Sequence, residues 1–260
     1  MLKKRKKLPI LISIPHASTF VPADLRRLMI FEDDFHIRKQ SDLYTDEIFE
    51  LPNVYTVKAR ISRLVVDVNR APDDIEVEYK LYHDGVVVSV DEFGDQIYES
   101  PPAMDEIFAR VEKYHDPFHA EIESLSEKVD FLIDGHSLWN IGPKTREDAG
   151  MERADIVLGN RDFTTCSRET TLKIAKFFEK KDLSVKVNDP YAGKYLIGYH
   201  CSRRGLPGIQ IEVNRKLFMN EKNLKRKVRG IKRMRSIMKD LVVMLSEEIE
   251  KHREMGRKFK

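Results

Sequence analysis

Two histidines in this chain stand where chemistry is usually done. His16 closes Ser13-Ile14-Pro15-His16, and His136 closes Phe131-Leu132-Ile133-Asp134-Gly135-His136, each directly after a strongly apolar run. One histidine at the end of a core strand is most simply a satisfied polar residue. Two at like ends of two core strands can share a metal, and zinc takes imidazole readily. Asp134 or Ser137 could orient the His136 ring from behind. A catalytic zinc site usually has three protein ligands and one open position, so a carboxylate has to join the pair. Asp42 and Asp46 are the candidates, four residues apart and so on one face of an expected helix. Asp42 also reads as an acid favoured by the helix dipole, and spacing alone does not choose between the two.

Two further groups carry charge into apolar surroundings. In Arg63-Leu64-Val65-Val66-Asp67-Val68-Asn69-Arg70 the last two residues follow a buried run, where a guanidinium is costly unless paired. Arginine there can grip a substrate carboxylate bidentately, or form an internal pair with Asp67. Glu212 lies in Gly208-Ile209-Gln210-Ile211-Glu212-Val213-Asn214-Arg215, and a carboxylate inside an apolar strand is seldom accidental. It is either a general base or the partner of a buried arginine. The pair His115 and His119 brackets Pro117 and lacks an HExxH pattern, so it makes a poor zincin. Gly193-Lys194 with Gly198 suggests a loop approaching substrate. No GxGxxG, P-loop or GxSxG elbow occurs.

The elements that must position these residues follow from periodicity. Short, nearly continuous apolar runs at 9–14, 54–59, 64–68, 129–133, 155–158, 184–187 and 209–213 read as strands buried on both faces. Helical spacing marks 42–51 with Ser41 as N-cap, 104–125, 170–180, and a long closing stripe from Leu224 to about 254. Alternating strands and helices predict an α/β fold with a mainly parallel sheet covered on both faces. Ligands then bind beyond the carboxyl ends of the strands. The stretch 73–102 is irregular, with a possible hairpin at Asp84-Gly85 near the site mouth.

Bulk properties narrow the classes. A chain of 260 residues with 41% hydrophobic residues suits one large domain, spanning 1–260. Two cysteines without a CxxC fit a reducing, cytoplasmic setting. No apolar run approaches the ~20 residues of a membrane span, so no membrane is expected as a partner. The net charge is +3, but a basic tail (1–7) and a basic segment from 221 onward stand out. They lack interleaved aromatics, which weighs against a metal-free nucleic-acid-binding protein.

Taken in order, the motifs resemble those of the N-formylglutamate amidohydrolase family. They are Ile14-Pro15-His16, Ser41-Asp42 with Asp46, Ser62-Arg63, Asp67-Val68-Asn69-Arg70, Tyr114-His115-Asp116-Pro117-Phe118-His119, Asp134-Gly135-His136-Ser137, Val157-Leu158-Gly159-Asn160 and Gln210 to Arg215. The resemblance implies a single three-layer α/β/α domain with a mixed, mainly parallel sheet, of the zinc exopeptidase kind, holding one zinc ion per chain. It implies His16, His136 and Asp42 as ligands with Asp46 in reserve, and Glu212 as general base. Arg63 is implied to polarise the scissile carbonyl, and Asn69, Arg70, Arg215 and Lys194 to bind substrate. The expected substrate is a small anionic N-acyl amino acid such as N-formyl-L-glutamate. A carboxypeptidase or peptidoglycan amidase is the alternative. Two departures stand out: Thr19 replaces the Glu of a carboxypeptidase His-x-x-Glu pair, and Lys194 replaces a family glycine.

Overall fold

The computed structural model describes residues 7–31, 33–75, 85–256 and 259. Six apolar runs become strands: β1 (Ile10–Ile14), β2 (Tyr55–Lys58), β3 (Phe131–Leu138), β4 (Ile156–Gly159), β5 (Val185–Val187) and β6 (Gly208–Asn214). They form one sheet in the order β2-β1-β3-β6-β4-β5. β2, β1, β3 and β6 run parallel, β4 is antiparallel to β6, and β5 is parallel to β4. The sheet is therefore mixed and mainly parallel, as expected. β1, β3 and β6 deliver their carboxyl ends to one edge.

Strand alternation divides the sheet into two faces. Ile10, Ile12, Ile133 and Ile211 pack with α3 (Thr45–Phe49), α6 (Arg168–Glu179) and α8 (Val228–Glu254). Helices α1 (Ala23–Arg26) and α2 (Asp34–Gln40) precede α3, and α4 (Met104–Arg110) opens the rod described below. On the other face, Leu11 and Leu132 pack under α5 (Asp116–Ser126) and α7 (Tyr195–Arg204). Further along the same strands that face turns polar. Register places Asp134 beside Gln210 and His136 beside Glu212. Burial of the apolar face stabilises the fold at about 25 cal/mol per Å², which is what keeps so polar a row inside the protein.

Gly135 lets β3 pack closely on α3. A Cβ there would stand 2.8 Å from the Phe49 ring. Gly135→Ala is expected to cost about 1–3 kcal/mol through overpacking, read as a lowered urea midpoint. An unchanged midpoint would show that Phe49 yields freely.

Several elements differ from the sequence-based expectation. The run 64–68 is no strand. Ser62 Oγ accepts from Leu64 N, Val65 N donates to Ser62 O, and Arg70 N donates to Asp67 O, giving consecutive turns. Short polar side chains here compete for the backbone, while Leu64, Val65 and Val66 are buried in a second apolar cluster with Val86, Ile97 and Tyr98. The helix expected over 42–51 shrinks to α3, and Ser41 is the C-cap of α2, not an N-cap. Ser41 Oγ donates to Ile37 O and Tyr44 adopts a left-handed φ of 68°, so Asp42 lies in a turn. The closing helix starts at Val228 because β7 (Met219–Asn220) and β8 (Lys225–Arg226) form a hairpin ahead of it. The rod over 104–126 is continuous but contains a π-turn at Val111–His115, next to Pro117, which cannot supply the N–H of an ordinary helical bond. Asp84 and residues 1–6 of the basic tail lie outside the described residues.

Candidate active site

β1 ends at Ile14 and releases His16 two residues later, while β3 presents His136 near its carboxyl end. The turn between α2 and α3 brings Asp42 between them, with Asp42 N donating to the His16 carbonyl at 2.8 Å. One ligand atom from each of the three buried side chains lies within 4.8 Å of the others. Asp42 Oδ2 is 3.3 Å from His136 Nδ1 and 3.8 Å from His16 Nδ1. Asp46 is elsewhere, half-exposed and 3.6 Å from Lys58 Nζ.

The far nitrogen of each imidazole meets a second carboxylate. His16 Nε2 lies 2.7 Å from Asp67 Oδ1, and His136 Nε2 lies 2.9 Å from Asp134 Oδ2. Ser13 Oγ donates to Asp134 Oδ1 at 2.6 Å, and Asn69 N donates to Asp67 Oδ1 at 2.9 Å. Carboxylates placed behind metal-binding histidines fix the ring and raise its basicity. Burial alone would raise the Asp42 carboxyl, but His136, His16 and Arg215 hold it well below the usual range. Burial likewise opposes a charge on His136, yet Asp134 and Asp42 hold that imidazole well above its ordinary value.

The residues fit a divalent cation. Two imidazoles and a carboxylate are the nitrogen and oxygen donors zinc takes. Two buried acceptors on residues lining the same cavity, Glu212 Oε2 and Gln210 Oε1, have no hydrogen-bond partner among the described residues.

Glu212 is the cross-strand neighbour of His136. Its Oε1 accepts from Gln210 Nε2 at 2.9 Å. Burial pushes its carboxyl up to about 7, with His136 pulling down and Asp42 and Asp134 pushing up. A carboxyl near 7 is poised for general acid–base work at neutral pH.

These groups line a cavity of about 60 Å³ together with Arg63, Asn69, Arg70, Lys194 and Arg215. Arg63 Nη2 donates to Asp67 Oδ2 at 2.5 Å, and Arg70 Nε lies 3.8 Å from the same oxygen. Asn69 Oδ1 accepts from Leu196 N at 3.0 Å, and its Nδ2 is 3.2 Å from His136 Nε2. Lys194 opens α7 directly after Gly193, whose φ of +100° is a glycine conformation.

Arg215 is held by several protein groups. It donates to Ser137 Oγ, Lys39 O, Ser41 O and Asp42 Oδ1, all at 2.9–3.1 Å, and stacks on Trp139. This arrangement holds Asp42 in place while Arg215 also lines the cavity. Arg215→Lys cannot reproduce the fork. It should weaken metal affinity by roughly 10–100-fold in a chelator-competition titration. A variant that changed only KM would assign Arg215 to substrate binding instead.

Glu92, Trp139, Arg146 and Tyr191 also line the cavity and were not singled out from sequence. Trp139 Nε1 donates to Glu92 Oε1 at 2.8 Å. Burial, with Glu92 nearby, pushes the Tyr191 hydroxyl up to about 12. The one available signal was Trp139, the chain's single tryptophan, directly after the β3 motif. Glu92 and Tyr191 sit in aperiodic loops that mark nothing.

A family model described as N-formylglutamate amidohydrolase matches residues 8–219. That span, and the sheet edge just described, place the protein among the amidohydrolases. The chain belongs to the N-formylglutamate amidohydrolase family. Its structure is similar to the crystal structure of N-formylglutamate amidohydrolase from Ralstonia eutropha JMP134, with a TM-score of 0.80, 25% identity and 95% of each chain covered. A gene product of Agrobacterium tumefaciens shares the fold, with a TM-score of 0.69, 20% identity, and 95% and 92% of the two chains covered. No curated protein sequence matches the chain. No helix among the described residues is long and apolar enough to cross a membrane.

Proposed function

We propose that the protein hydrolyses the amide bond of N-formyl-L-glutamate to glutamate and formate, with one zinc ion held by His16, Asp42 and His136. The observation that carries this reading is the buried, unpartnered Glu212 Oε2 beside three converging ligands in a cation-lined cavity. When bound, the ion supplies Lewis acidity at the scissile carbonyl. Glu212 takes one proton from the attacking water as its oxygen adds to the formyl carbon. Glu212 then returns that proton to the glutamate nitrogen as the C–N bond breaks. Arg63, at the cavity wall, faces the oxygen that gains charge, where fixed donors contribute most. Arg70 grips a substrate carboxylate, and Lys194 adds a cation for the second. Asp67 and Asp134 hold the two imidazoles, and Asn69 spans from α7 to His136.

The test is a substrate panel on metal-replete protein. N-formylglutamate should exceed N-acetylglutamate in kcat/KM by about 10–200-fold, the discrimination one extra methylene-sized group allows in a tight pocket. Both should exceed C-terminal dipeptides. Cleavage of short peptides with no formate release from formylglutamate would replace this reading with a carboxypeptidase.

A further inference from the structure

Asn69 is bracketed by two buried histidines that no step above uses. His119 Nε2 lies 2.8 Å from the Val68 carbonyl oxygen, and His115 Nε2 lies 3.0 Å from the Arg70 carbonyl oxygen. A carbonyl only accepts, so both Nε2 atoms carry hydrogen. His119 Nδ1 lies 2.8 Å from His200 Nε2 on α7. Burial, with His115 and His200 beside it, pushes His119 down to about 3, so its ring is neutral. Its Nδ1 lone pair therefore accepts from His200 Nε2–H.

The rings are packed as well as bonded. His119 and His200 lie edge to edge in nearly one plane, 5.1 Å between centroids with 16° between planes, and His119 lies 4.3 Å from His115. The π-turn that ends at His115 sets that ring over the same loop as His119. α7 contributes twice, through His200 to His119 and through Leu196 N to the Asn69 side chain. The loop at 67–70 has no strand ladder: Asp67 O accepts from Arg70 N, while the Val68 and Arg70 carbonyls accept from the His119 and His115 side chains.

We infer that His119, braced by His200 and seconded by His115, is a positioning residue that locks the peptide groups on either side of Asn69, so that Asn69 meets His136 and Arg70 faces the cavity. This rests on the proposed reaction only for its kinetic readout. The alternative is a histidine that merely fills the core.

The experiment compares His119→Phe and His119→Gln in the metal-replete full chain, each also in an Asn69→Ala background. Glutamine keeps a donor for Val68 O and an acceptor for His200; phenylalanine keeps only bulk. His119→Phe should lower kcat/KM for formylglutamate by about 10–100-fold, the scale of a small misplacement near the chemistry, with metal content unchanged. Glutamine should recover most of that loss. In the Asn69→Ala background the phenylalanine effect should shrink to within about twofold, because coupled residues are not additive. Full activity in His119→Phe, no rescue by glutamine, or the same fold-loss with and without Asn69 would overturn the inference. Long-range ¹H–¹⁵N spectra of the unsubstituted protein supply a readout free of turnover and of variant folding. His119 should appear as a neutral Nε2–H tautomer and His200 should carry hydrogen on Nε2; an Nδ1–H tautomer of His119 would refute the chain. Those spectra stand even if formylglutamate is not cleaved, an outcome that would sink the proposed reaction alone.

Discussion

Glu212→Gln should keep its metal and its fold and lose turnover, with kcat reduced by about 10²–10⁴-fold, the usual worth of a positioned general base. Glutamine has the same shape, and its carbonyl oxygen can still accept from Gln210 Nε2, as Glu212 Oε1 does now. What it cannot do is take a proton at the second position, where Oε2 is buried and unpartnered. The protein should not be less stable, since an amide costs less to bury than a carboxylate. Substrate KM should move little, because Arg70 and Lys194, the cations proposed to grip its carboxylates, are untouched. Retained metal with wild-type kcat would remove Glu212 from the reaction, and Tyr191 would be the next group to test.

His136→Ala is the second large effect, and it acts on binding before chemistry. The ring is an inner member of the three-ligand group, and its other nitrogen lies 2.9 Å from Asp134. Alanine should abolish stoichiometric metal in elemental analysis and abolish hydrolysis with it. In the metal-free protein it also takes from the buried Asp42 and Asp134 the imidazole that both contact, leaving Arg215 on Asp42 and Ser13 on Asp134. Breaking a buried pair by removing one partner costs about 3–5 kcal/mol. The urea midpoint should therefore fall well below that of Gly135→Ala. Unchanged metal content in this variant would dissolve the site.

Much of this was legible in the sequence because the strands are buried on both faces. β1, β3 and β6 announce themselves as apolar runs, and the residues that interrupt or follow them, His16, His136 and Glu212, are conspicuous for being polar there. The same rule misread 64–68. Those residues are as buried as a strand, but in a loop whose turns are set by Ser62 and Asp67 side chains, which periodicity does not weigh. The choice between Asp42 and Asp46 was beyond the sequence for a related reason. An i,i+4 argument presupposes a helix, and the chain leaves helical geometry at Ser41 and Tyr44 before α3 begins. The resemblance implied Arg215 as a substrate-binding residue; its bonds to Ser41 and Asp42, more than 170 residues away, are contacts that no sequence spacing shows. The His115–His119 spacing was visible, but its partner His200 is 81 positions beyond His119, and only the docking of α7 on α5 joins them.

The central claim is that a cation between His16, Asp42 and His136 drives formyl hydrolysis. The most direct measurement strips the protein with a chelator, returns zinc in steps and follows formate release from N-formylglutamate. Activity should be absent at first, rise in proportion to added metal and level off at one ion per chain. Full formate release by the stripped protein, or none at any zinc level, would contradict the account.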